Sequence, residues 1–374
     1  MLKLENRKSI YLDGLNGIRA IAAIGVVISH ITLRLSDFKL NPYIFGTAAD
    51  GSPKGLLLAG NAVSMFFSLS GFLITYLLLL EKEERGKINI PFFYARRILR
   101  IWPLYYLFLI ICVVVIYASG SKISITALVL YVFYAPNIPF MLHRYIPLLS
   151  HYWSLGVEEQ FYLFWPWVVA KAKKNLEWII FSGIVVMIVL KIIARYYTEQ
   201  GDKSLLYMFI HVTRFHCMLI GALGAVLFVK NNTLFKKIST HLISQLLAWG
   251  VIVSLIINQF HIASVLDAEF VSVITVILIM GQATKTNRLV NLQAKVPNLL
   301  GKISYGIYVY HPLIIWGESL VFANIPISGV FKYLFIYTVT ILITIGIAYL
   351  SYTYFEKWFL KKKLNYTIIN SSMP

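Results

Sequence analysis

Apolar stretches of about 20 residues alternate with short polar segments along the whole chain. A helix rises about 1.5 Å per residue, so a stretch of that length can cross the roughly 30 Å hydrocarbon core of a membrane. The pattern predicts ten crossings, near residues 15–35, 57–80, 99–118, 152–170, 177–196, 208–229, 242–260, 265–283, 301–322 and 331–356. We therefore predict an all-α, polytopic integral membrane protein with one domain over residues 1–374, its core at 10–357 and a short tail at 358–374.

A further apolar stretch, residues 123–141, does not fit this series. Pro136 and Pro139 would interrupt a helix there, because proline lacks the amide hydrogen that the helix needs. Counting the stretch as a crossing would also move the lysine-rich segment 171–174 to the side of the membrane that carries few basic residues. We predict that residues 123–141 form a re-entrant or interfacial segment.

The basic residues are distributed unevenly between the two sides of these spans. Of the 34 lysines and arginines, 24 fall on the side of the N-terminus, 8 on the opposite side, and 2, Lys191 and Arg214, within spans. Short cytoplasmic loops of membrane proteins carry such an excess of positive charge. The distribution predicts that both termini are cytoplasmic.

The composition agrees with a membrane protein, since 59% of the 374 residues are hydrophobic and 13% are charged, against roughly 25% charged residues in a soluble domain. The net charge of +18 does not indicate a nucleic-acid partner, which would need a basic patch on a soluble module. No small-residue cleavage site follows the polar N-terminus, so we expect no cleavable signal peptide. Cys112 and Cys217 lack the spacing of metal ligands, and we expect no metal site.

The first predicted span contains two ionisable residues, Arg19 and His30, within GIRAIAAIGVVISH (residues 17–30). Ionisable groups in hydrocarbon are costly and therefore usually functional. The two residues are eleven positions apart, which places them on one helix face, about 16 Å apart along the axis. Two interpretations stay open: a functional pair, or an arginine that reaches the interface and a histidine packed against a neighbouring carbonyl group.

A second basic motif, YARRILRIWP at residues 94–103, adjoins the third span. Arg97 and Arg100 are three positions apart and project from the same helix face, whereas Arg96 points elsewhere. Guanidinium groups bind phosphate oxygens in a forked geometry, which suits a phosphorylated ligand. The alternative is the ordinary positive charge that flanks a span on its cytoplasmic side.

The fourth span begins with HYWSLGVEEQFYLFWP (residues 151–166), which places two adjacent acids among aromatic residues. Glu158 shares a helix face with Phe161, Tyr162 and Trp165, which follow it by three, four and seven positions. An acid in such surroundings could exchange protons or bind sugar hydroxyls. The alternative is an aromatic belt at the outer interface, which explains the aromatic residues better than the doubled acid.

Weaker signals surround these motifs. His311, which precedes a proline in ISYGIYVYHP, is either a packed polar residue or part of a substrate cavity. Asp37 or Asp50, in the polar segment after the first span, could fold back to orient the ring of His30.

The second span contains FFSLSGFLITYLL at residues 66–78. Ser68, Ser70 and Gly71 are small residues at which two helices could approach each other closely. Close packing is therefore the prediction for this segment.

Taken together, these segments resemble the membrane acyltransferase 3 family, whose members are bacterial proteins that acylate carbohydrates. The resemblance covers residues 10–357 and is carried, in chain order, by LDGLNGIRAIAAIGVVISH, FFSLSGFLIT, FFYARRILRIWPLYY, HYWSLGVEEQFYLFWP and ISYGIYVYHP. The family's sequence patterns fall on Arg19 and His30, on Arg97 and Arg100, and on Trp153, Leu155, Glu158, Phe161 and Tyr162.

The resemblance implies an enzyme in the bacterial plasma (inner) membrane. Such an enzyme moves an acyl group, most simply acetyl from cytoplasmic acetyl-CoA, to a hydroxyl group of a polysaccharide or lipid-linked glycan. Its expected partners are the acyl-CoA donor, the carbohydrate acceptor and membrane lipids. The candidate site comprises His30 and Glu158 as catalytic groups, Arg19, Arg97 and Arg100 as ligands of the donor phosphates, and Trp153, Tyr162 and His311 as substrate-binding groups.

The sequence departs from the family in one motif. Where relatives often have arginine, leucine and aspartate, this chain has Arg214, Phe215 and His216, so no acid is expected to act at that position. Many relatives also carry a C-terminal hydrolase-like domain, and the stand-alone form is expected here.

Two other classes of protein remain compatible with the residues. In a transporter or exporter of a glycan, Arg19, His30 and Glu158 would form a path for protons or substrate, although no inverted repeat is visible. A non-catalytic membrane partner in glycan assembly would have little need for the histidine and the arginines.

Overall fold

The computed structural model describes residues 11–47, 51–172, 175–199, 205–263 and 265–369 of the protein. Within these residues the chain is helical, without an extended strand. The predicted all-α, polytopic membrane protein is thereby confirmed for the described part. Asp50, residues 173–174 of the lysine cluster and the tail beyond residue 369 lie outside it.

Sixteen α-helices follow one another along the described chain. The first eight are α1 (Leu15–Leu33), α2 (Leu56–Arg85), α3 (Ile90–Ala118), α4 (Ile125–Val132), α5 (Asn137–Met141), α6 (Tyr152–Lys171), α7 (Leu176–Glu199) and α8 (Leu205–Thr213). The others are α9 (Phe215–Val229), α10 (Thr233–Ser239), α11 (Leu242–Ile256), α12 (Asp267–Thr284), α13 (Lys295–Lys302), α14 (Ser304–Phe322), α15 (Gly329–Ser351) and α16 (Lys357–Lys363). Each of the ten predicted spans is occupied by one or two of these helices.

Not all of these helices are equally apolar. Seven helical segments of the described chain are long and apolar enough to cross a membrane, and α10 with α11, bent by 53°, would form an eighth. The two remaining predicted spans are α6 and α14, which are 20 and 19 residues long. These two helices carry more polar groups, among them Glu158 and His311. The number of ten crossings therefore stays a prediction.

The apolar stretch at residues 123–141 is divided into the two short helices α4 and α5. The longer of them, α4, has 8 residues and so extends over about 12 Å, well short of the roughly 30 Å of a hydrocarbon core. The stretch does not form one continuous crossing, as predicted from its prolines. Its re-entrant or interfacial placement remains a prediction.

The helices α2 and α9 cross in backbone contact near the centre of the bundle. A Cβ atom added at Gly71 would lie 1.9 Å from the carbonyl oxygen of Met218, and one at Gly221 would lie 1.9 Å from the carbonyl oxygen of Ser68. Any side chain at either position would separate the two helices. The predicted close packing of the segment FFSLSGFLIT is confirmed at Gly71.

Candidate active site

The helix α1 is continuous from Leu15 to Leu33 and therefore holds Arg19 and His30 at a fixed separation. Eleven residues of α-helix correspond to about 16 Å along the axis, as the sequence predicts. Both side chains are half-buried, while their neighbours Ile18, Ala20 and Ile31 are buried. The two groups consequently face the same interior space from different depths.

Arg19 lies in a cavity of about 90 Å³, which we call the arginine chamber, enclosed by α1, α2, α3, α6 and α14. The side chains that line it include all the predicted donor ligands and two further predicted site residues. They are Arg19, Arg97, Arg100, Glu158 and Tyr162, together with Ser70, Ser154, Tyr305 and Tyr308. Residues from five helices thus meet as the resemblance implies.

Glu158 is held in the arginine chamber by hydroxyl groups. The hydroxyl groups of Ser70, on α2, and of Tyr162, one turn further along α6, both donate hydrogen bonds to its Oε1. The guanidinium group of Arg97 lies 5.8 Å from the ring centroid of Phe93 and 5.6 Å from that of Tyr162. Ser70 therefore orients the acid, which the prediction of close packing for this segment did not include.

The three arginines of the chamber are not neutralised by ion pairs. Arg19 donates a hydrogen bond to the Oδ1 of Asn16 at 3.1 Å, and the buried Nε of Arg97 has no hydrogen-bond partner in the described chain. In that part of the chain, no guanidinium group of the three forms an ion pair with a carboxylate. Like charges held together repel, and the repulsion is strong where water is scarce. An anionic ligand would relieve it.

A second cavity, of about 360 Å³, adjoins the chamber and shares Arg19, Arg100 and Tyr305 with it. We call it the lysine mouth, because its other lining residues include Lys302, Lys357, Lys361 and Lys363, with Glu356 as a carboxylate. It lies at the end of the bundle where α2 ends, α3 begins and α16 is located. The chamber is therefore continued by a basic vestibule at one end of the molecule.

A third cavity, of about 350 Å³, lies towards the opposite ends of α1 and α3 and contains His30. This histidine cavity is lined mainly by hydroxyl-bearing and aromatic or apolar side chains. They include Ser119, Ser121, Tyr145, Ser150, Leu33, Ile315 and Trp316, with Arg34 as the charged residue besides the histidine. Aromatic and polar groups of this kind suit a polar organic ligand with apolar faces.

His30 is paired with His311 inside the protein. The Nδ1 of His30 lies 2.6 Å from the Nε2 of His311, and the two rings stack with their centroids 4.9 Å apart. The other ring nitrogen of His311, Nδ1, lies 2.7 Å from the carbonyl oxygen of Tyr308. Because a carbonyl oxygen can only accept, this Nδ1 carries the hydrogen.

The carbonyl group of Tyr308 is free for this bond because of Pro312. In a helix the amide of residue 312 would bond the carbonyl oxygen of residue 308, but proline has no amide hydrogen. A neutral His311 then has Nε2 as an acceptor, so the Nδ1 of His30 is the donor between the rings. His30 is left with an unprotonated Nε2, the nitrogen that can accept a proton from a bound substrate.

His311 and Tyr308 separate the histidine cavity from the arginine chamber, which Tyr308 lines. The Tyr308 hydroxyl group donates to the carbonyl oxygen of His151 at 2.8 Å and lies 2.5 Å from the Oγ of Ser154. The ring of His151 is 5.2 Å from that of His311, and neither of its nitrogens has a hydrogen-bond partner among the described residues. The two cavities are thus separated by a thin layer of polar rings.

Sequence reasoning did not single out Tyr308 and His151. Tyr308 lies three positions before His311, hence on its helix face, and His151 is the first residue of the HYWSLGVEEQ motif. Both residues lie within the two motifs that contain His311 and Glu158. Neither motif indicated that α6 and α14 would bring these rings together.

Trp153, a predicted substrate ligand, does not line either the chamber or the histidine cavity. It stacks on Phe140 at 5.5 Å, meets Phe67 edge-on at 6.1 Å and lies under Arg214 at 5.8 Å. The structure thus brings seven of the eight predicted residues into or beside the cavities and leaves Trp153 in an adjacent aromatic cluster.

Two acidic residues make contacts that were not predicted from the sequence. Asp37 forms an ion pair with Arg34 at 2.8 Å, so the group that orients the His30 ring is His311 and not Asp37. Glu159 points away from the chamber. Outside it, the Oε2 of Glu159 accepts a hydrogen bond from the indole nitrogen of Trp102 at 3.4 Å.

This arrangement combines three chemical capacities. The chamber and mouth can bind phosphate groups, His30 can take a proton, and the histidine cavity can hold a polar molecule beside His30. The basic chamber and mouth lie towards one end of the molecule and the histidine cavity towards the other.

Known proteins resemble this chain over most of its length. The family profile of the acyltransferase domain matches residues 12–353. The O-acetyltransferase OatA of Staphylococcus aureus strain NCTC 8325 is 28% identical over 94% of this chain and 58% of its own length. A protein of Staphylococcus aureus strain COL that is provisionally named as an O-acetyltransferase is 28% identical over 95% of this chain and 58% of its own length. No solved structure matches the chain.

Proposed function

The chain belongs to the acyltransferase family that matches residues 12–353, and from this membership we propose that it is a membrane-embedded O-acetyltransferase. The observation that carries the proposal is the unneutralised arginine chamber, which lies one layer of side chains away from a histidine with a free ring nitrogen. The chain spans 58% of the length of the curated relatives it matches. Their activity is therefore part of the proposal.

The proposed donor is acetyl-CoA. Its phosphate groups would bind Arg19, Arg97 and Arg100, whose planar guanidinium groups engage phosphate oxygens in pairs. The extended pantetheine arm is about 15–20 Å long, comparable with the 16 Å or so between Arg19 and His30 along α1. A thioester on that arm would reach the depth of His30 once the layer formed by Tyr308 and His311 opens.

In the proposed reaction His30 acts as a general base. Its Nε2 takes the proton of the acceptor hydroxyl group as the oxygen attacks the thioester carbonyl carbon, and the carbon–sulfur bond then breaks. The CoA thiolate leaves and the proton returns from His30 to it. The alternative is an acyl-histidine, in which Nε2 attacks first and passes the acetyl group on. The free Nε2 supports both routes, and Glu158 would position a substrate or relay a proton.

The proposed acceptor is a hydroxyl group of a carbohydrate, such as a polysaccharide or lipid-linked glycan. The histidine cavity offers hydroxyl groups from Ser119, Ser121 and Tyr145 beside the ring of Trp316. Sugars bind to such combinations, because their rings have apolar faces and hydroxyl edges. The cavity lies at the end of the molecule opposite to the lysine mouth, which keeps donor and acceptor apart.

We propose that the lysine mouth faces the cytoplasm of a bacterium and the histidine cavity the outer face of the plasma membrane. The excess of lysine and arginine at the basic end supports this orientation. Single cysteines introduced at Ser121 and Lys361 test it in intact cells, since the native Cys112 and Cys217 are buried. Labelling from outside is expected at position 121 and not at position 361, and the reverse pattern would overturn the orientation.

Membrane vesicles with the basic end outward provide the test of the function. Radiolabelled acetyl-CoA supplied to them should yield base-labile label in a glycan fraction, and vesicles without the protein should yield none. A transporter would move label or glycan across the membrane without covalent incorporation. Absence of protein-dependent, base-labile label with every glycan fraction offered would overturn the proposal.

A further inference from the structure

The chain after the last predicted span returns to the mouth of the candidate donor site. A π-helical turn at Tyr352–Glu356 follows α15, and α16 then packs along α3. Such π turns change the direction of side chains within a helix and are frequent at functional sites. The buried carboxyl group of Glu356 points into the lysine mouth from this turn. The segment was predicted only as a short cytoplasmic tail.

Several specific contacts hold this segment in place. Arg96 donates a hydrogen bond to the carbonyl oxygen of Tyr366 at 2.8 Å, and the Tyr366 ring meets Phe92 edge-on at 5.4 Å. Beyond it, Ile368 and Ile369 are buried, with exposed fractions of 5% and 6%. A tail that merely stops membrane insertion would not need such docking. The segment is instead part of the folded bundle.

Among the lysines of α16, which is described in full, Lys363 occupies a distinct position. It lines the lysine mouth, and it also lines a small cavity of about 40 Å³ together with Arg96, Arg97 and Arg100. Lys362, one position earlier, lies outside both cavities and rests on the ring of Trp358 at 3.5 Å. Lys363 therefore adds a positive charge to a place that is already positive.

Arg96 does not contribute an unpaired positive charge to this small cavity, because it forms an ion pair with Glu81 at 3.2 Å. Arg97, Arg100 and Lys363 remain, and their mutual repulsion opposes the docking of α16. Glu356 supplies one carboxylate to the lysine mouth, and the other anchors of the tail are an edge-on ring, two isoleucines and one hydrogen bond to a carbonyl group, so these contacts do not balance the three cations. A bound anion with more than one phosphate group would do so.

The order of the cationic groups along the cavities matches the order of groups in a coenzyme A thioester. From His30 towards the basic end, the molecule presents Arg19 and Arg100 in the chamber and then Lys363 in the mouth. From the thioester outwards, the donor presents the pantetheine arm, the diphosphate, and then the ribose with its 3′-phosphate. Lys363 thus follows the chamber arginines as the 3′-phosphate follows the diphosphate.

We propose that Lys363, brought to the site by the docked C-terminal segment, binds the ribose 3′-phosphate of the acyl-CoA donor, while the chamber arginines bind its diphosphate. This proposal rests on the proposed function and adds a recognition element to it. It makes α16 a wall of the donor site, and it distinguishes a 3′-phosphorylated donor from one that lacks this phosphate.

The test compares CoA with 3′-dephospho-CoA as ligands of the purified full chain in detergent, with Lys363→Ala, Lys363→Arg and Lys362→Ala as variants. The proposal expects Lys363→Ala to weaken the binding of CoA about 10-fold, as for loss of one hydrogen bond to a charged group. Binding of 3′-dephospho-CoA should stay unchanged in that variant, which also shows that it is folded. Lys363→Arg should retain the preference for CoA, and Lys362→Ala should behave as the wild type.

The outcomes separate the two proposals. If the wild type binds neither ligand, the acetyl-CoA donor fails and this inference fails with it. If the wild type prefers CoA and Lys363→Ala keeps the same preference, the role of Lys363 is wrong while the proposed donor stands. Equal weakening of both ligands by Lys363→Ala would also overturn the inference, since it would indicate general loss of charge or of structure.

Discussion

Among the ionisable side chains buried between the described helices, two groups can be contrasted: the arginine chamber and a triad formed by Lys191, His216 and Glu269. In the triad, the Nζ of Lys191 is 2.9 Å and 3.1 Å from the two carboxylate oxygens of Glu269. The Nε2 of His216 is 3.1 Å from the same carboxylate. The side chains are nearly inaccessible, and none of them lines the chamber, the mouth or the histidine cavity.

In the arginine chamber, by contrast, the buried positive charges are not paired with negative ones among the described residues. Its arginines have no carboxylate partner in the described chain, although Glu158 lies nearby, and two of them open onto a second cavity. Buried charge that is paired within the protein needs no ligand, whereas charge left unneutralised in an open cavity is available to one. From this contrast we expect a scaffolding role for α7, α9 and α12 and a functional role for α1, α3 and α6.

The triad also bears on the one motif that departs from the family. His216 occupies the position where the family resemblance implies an aspartate, and the Glu269 carboxylate near its ring comes from α12. A carboxylate is therefore present at this place, supplied by another helix.

The sharpest test of the comparison is removal of the proposed base. His30→Ala should reduce acetyl transfer by about 100- to 10,000-fold, the usual contribution of a general base, with normal insertion and an unchanged melting temperature. Base-labile label from radioactive acetyl-CoA and thermal unfolding in detergent measure the two effects. Near-normal transfer would make His30 a packing residue and remove the functional side of the comparison.

Removal of the carboxylate of the triad should have the opposite effects, lowering stability without changing the dependence on acetyl-CoA. Glu269→Ala leaves Lys191 buried without a partner, which costs about 3–5 kcal/mol of stability. The melting temperature should fall, while the dependence of the remaining folded protein on acetyl-CoA concentration should not change. The double variant Lys191→Met, Glu269→Leu should recover most of the loss, because it buries no charge. A changed affinity for acetyl-CoA in either variant would contradict the scaffolding role.

Replacing the chamber arginines with lysine preserves charge and removes only the forked geometry. Arg97→Lys and Arg100→Lys should each cost about 1.5–3 kcal/mol of donor binding, which is roughly a 10- to 150-fold weaker apparent affinity. Topology and stability should be retained. Saturating acetyl-CoA should partly restore activity here but not in His30→Ala. An unchanged concentration dependence in the double variant would reduce both arginines to signals of orientation.

The smallest effect is expected at His311, a positioning residue for His30. His311→Phe keeps a ring but leaves the Nδ1 hydrogen of His30 without an acceptor, so the wrong tautomer becomes populated. Loss of one such bond is worth about 0.5–1.5 kcal/mol, or up to roughly a 10-fold lower kcat. The KM for acetyl-CoA should stay unchanged. His311→Gln, whose amide oxygen can accept, should recover activity, whereas equal losses in both variants would indicate packing alone.

The helices and the local geometry on each of them can be predicted from the amino-acid sequence. Spans of about 20 apolar residues and a period of 3.6 are short-range properties, so Arg19 with His30, Arg97 with Arg100, and Glu158 with Tyr162 could be assigned to common faces before any packing was known. Proline positions also indicated that residues 123–141 do not form a single helix. The family resemblance then suggested which faces meet.

Which partner each helix face contacts depends on the tertiary packing. His30 and His311 are 281 positions apart, and no periodicity in α1 or α14 specifies that their rings share a hydrogen bond. The same holds for Lys191 with Glu269 and for Lys363 beside Arg100. The hydrophobic effect that favours insertion of an apolar helix into a membrane acts equally on every side of the helix. Close backbone contacts such as that of Gly71 with Met218 and a few buried polar contacts set the pairing, and they exist only once the whole bundle has assembled.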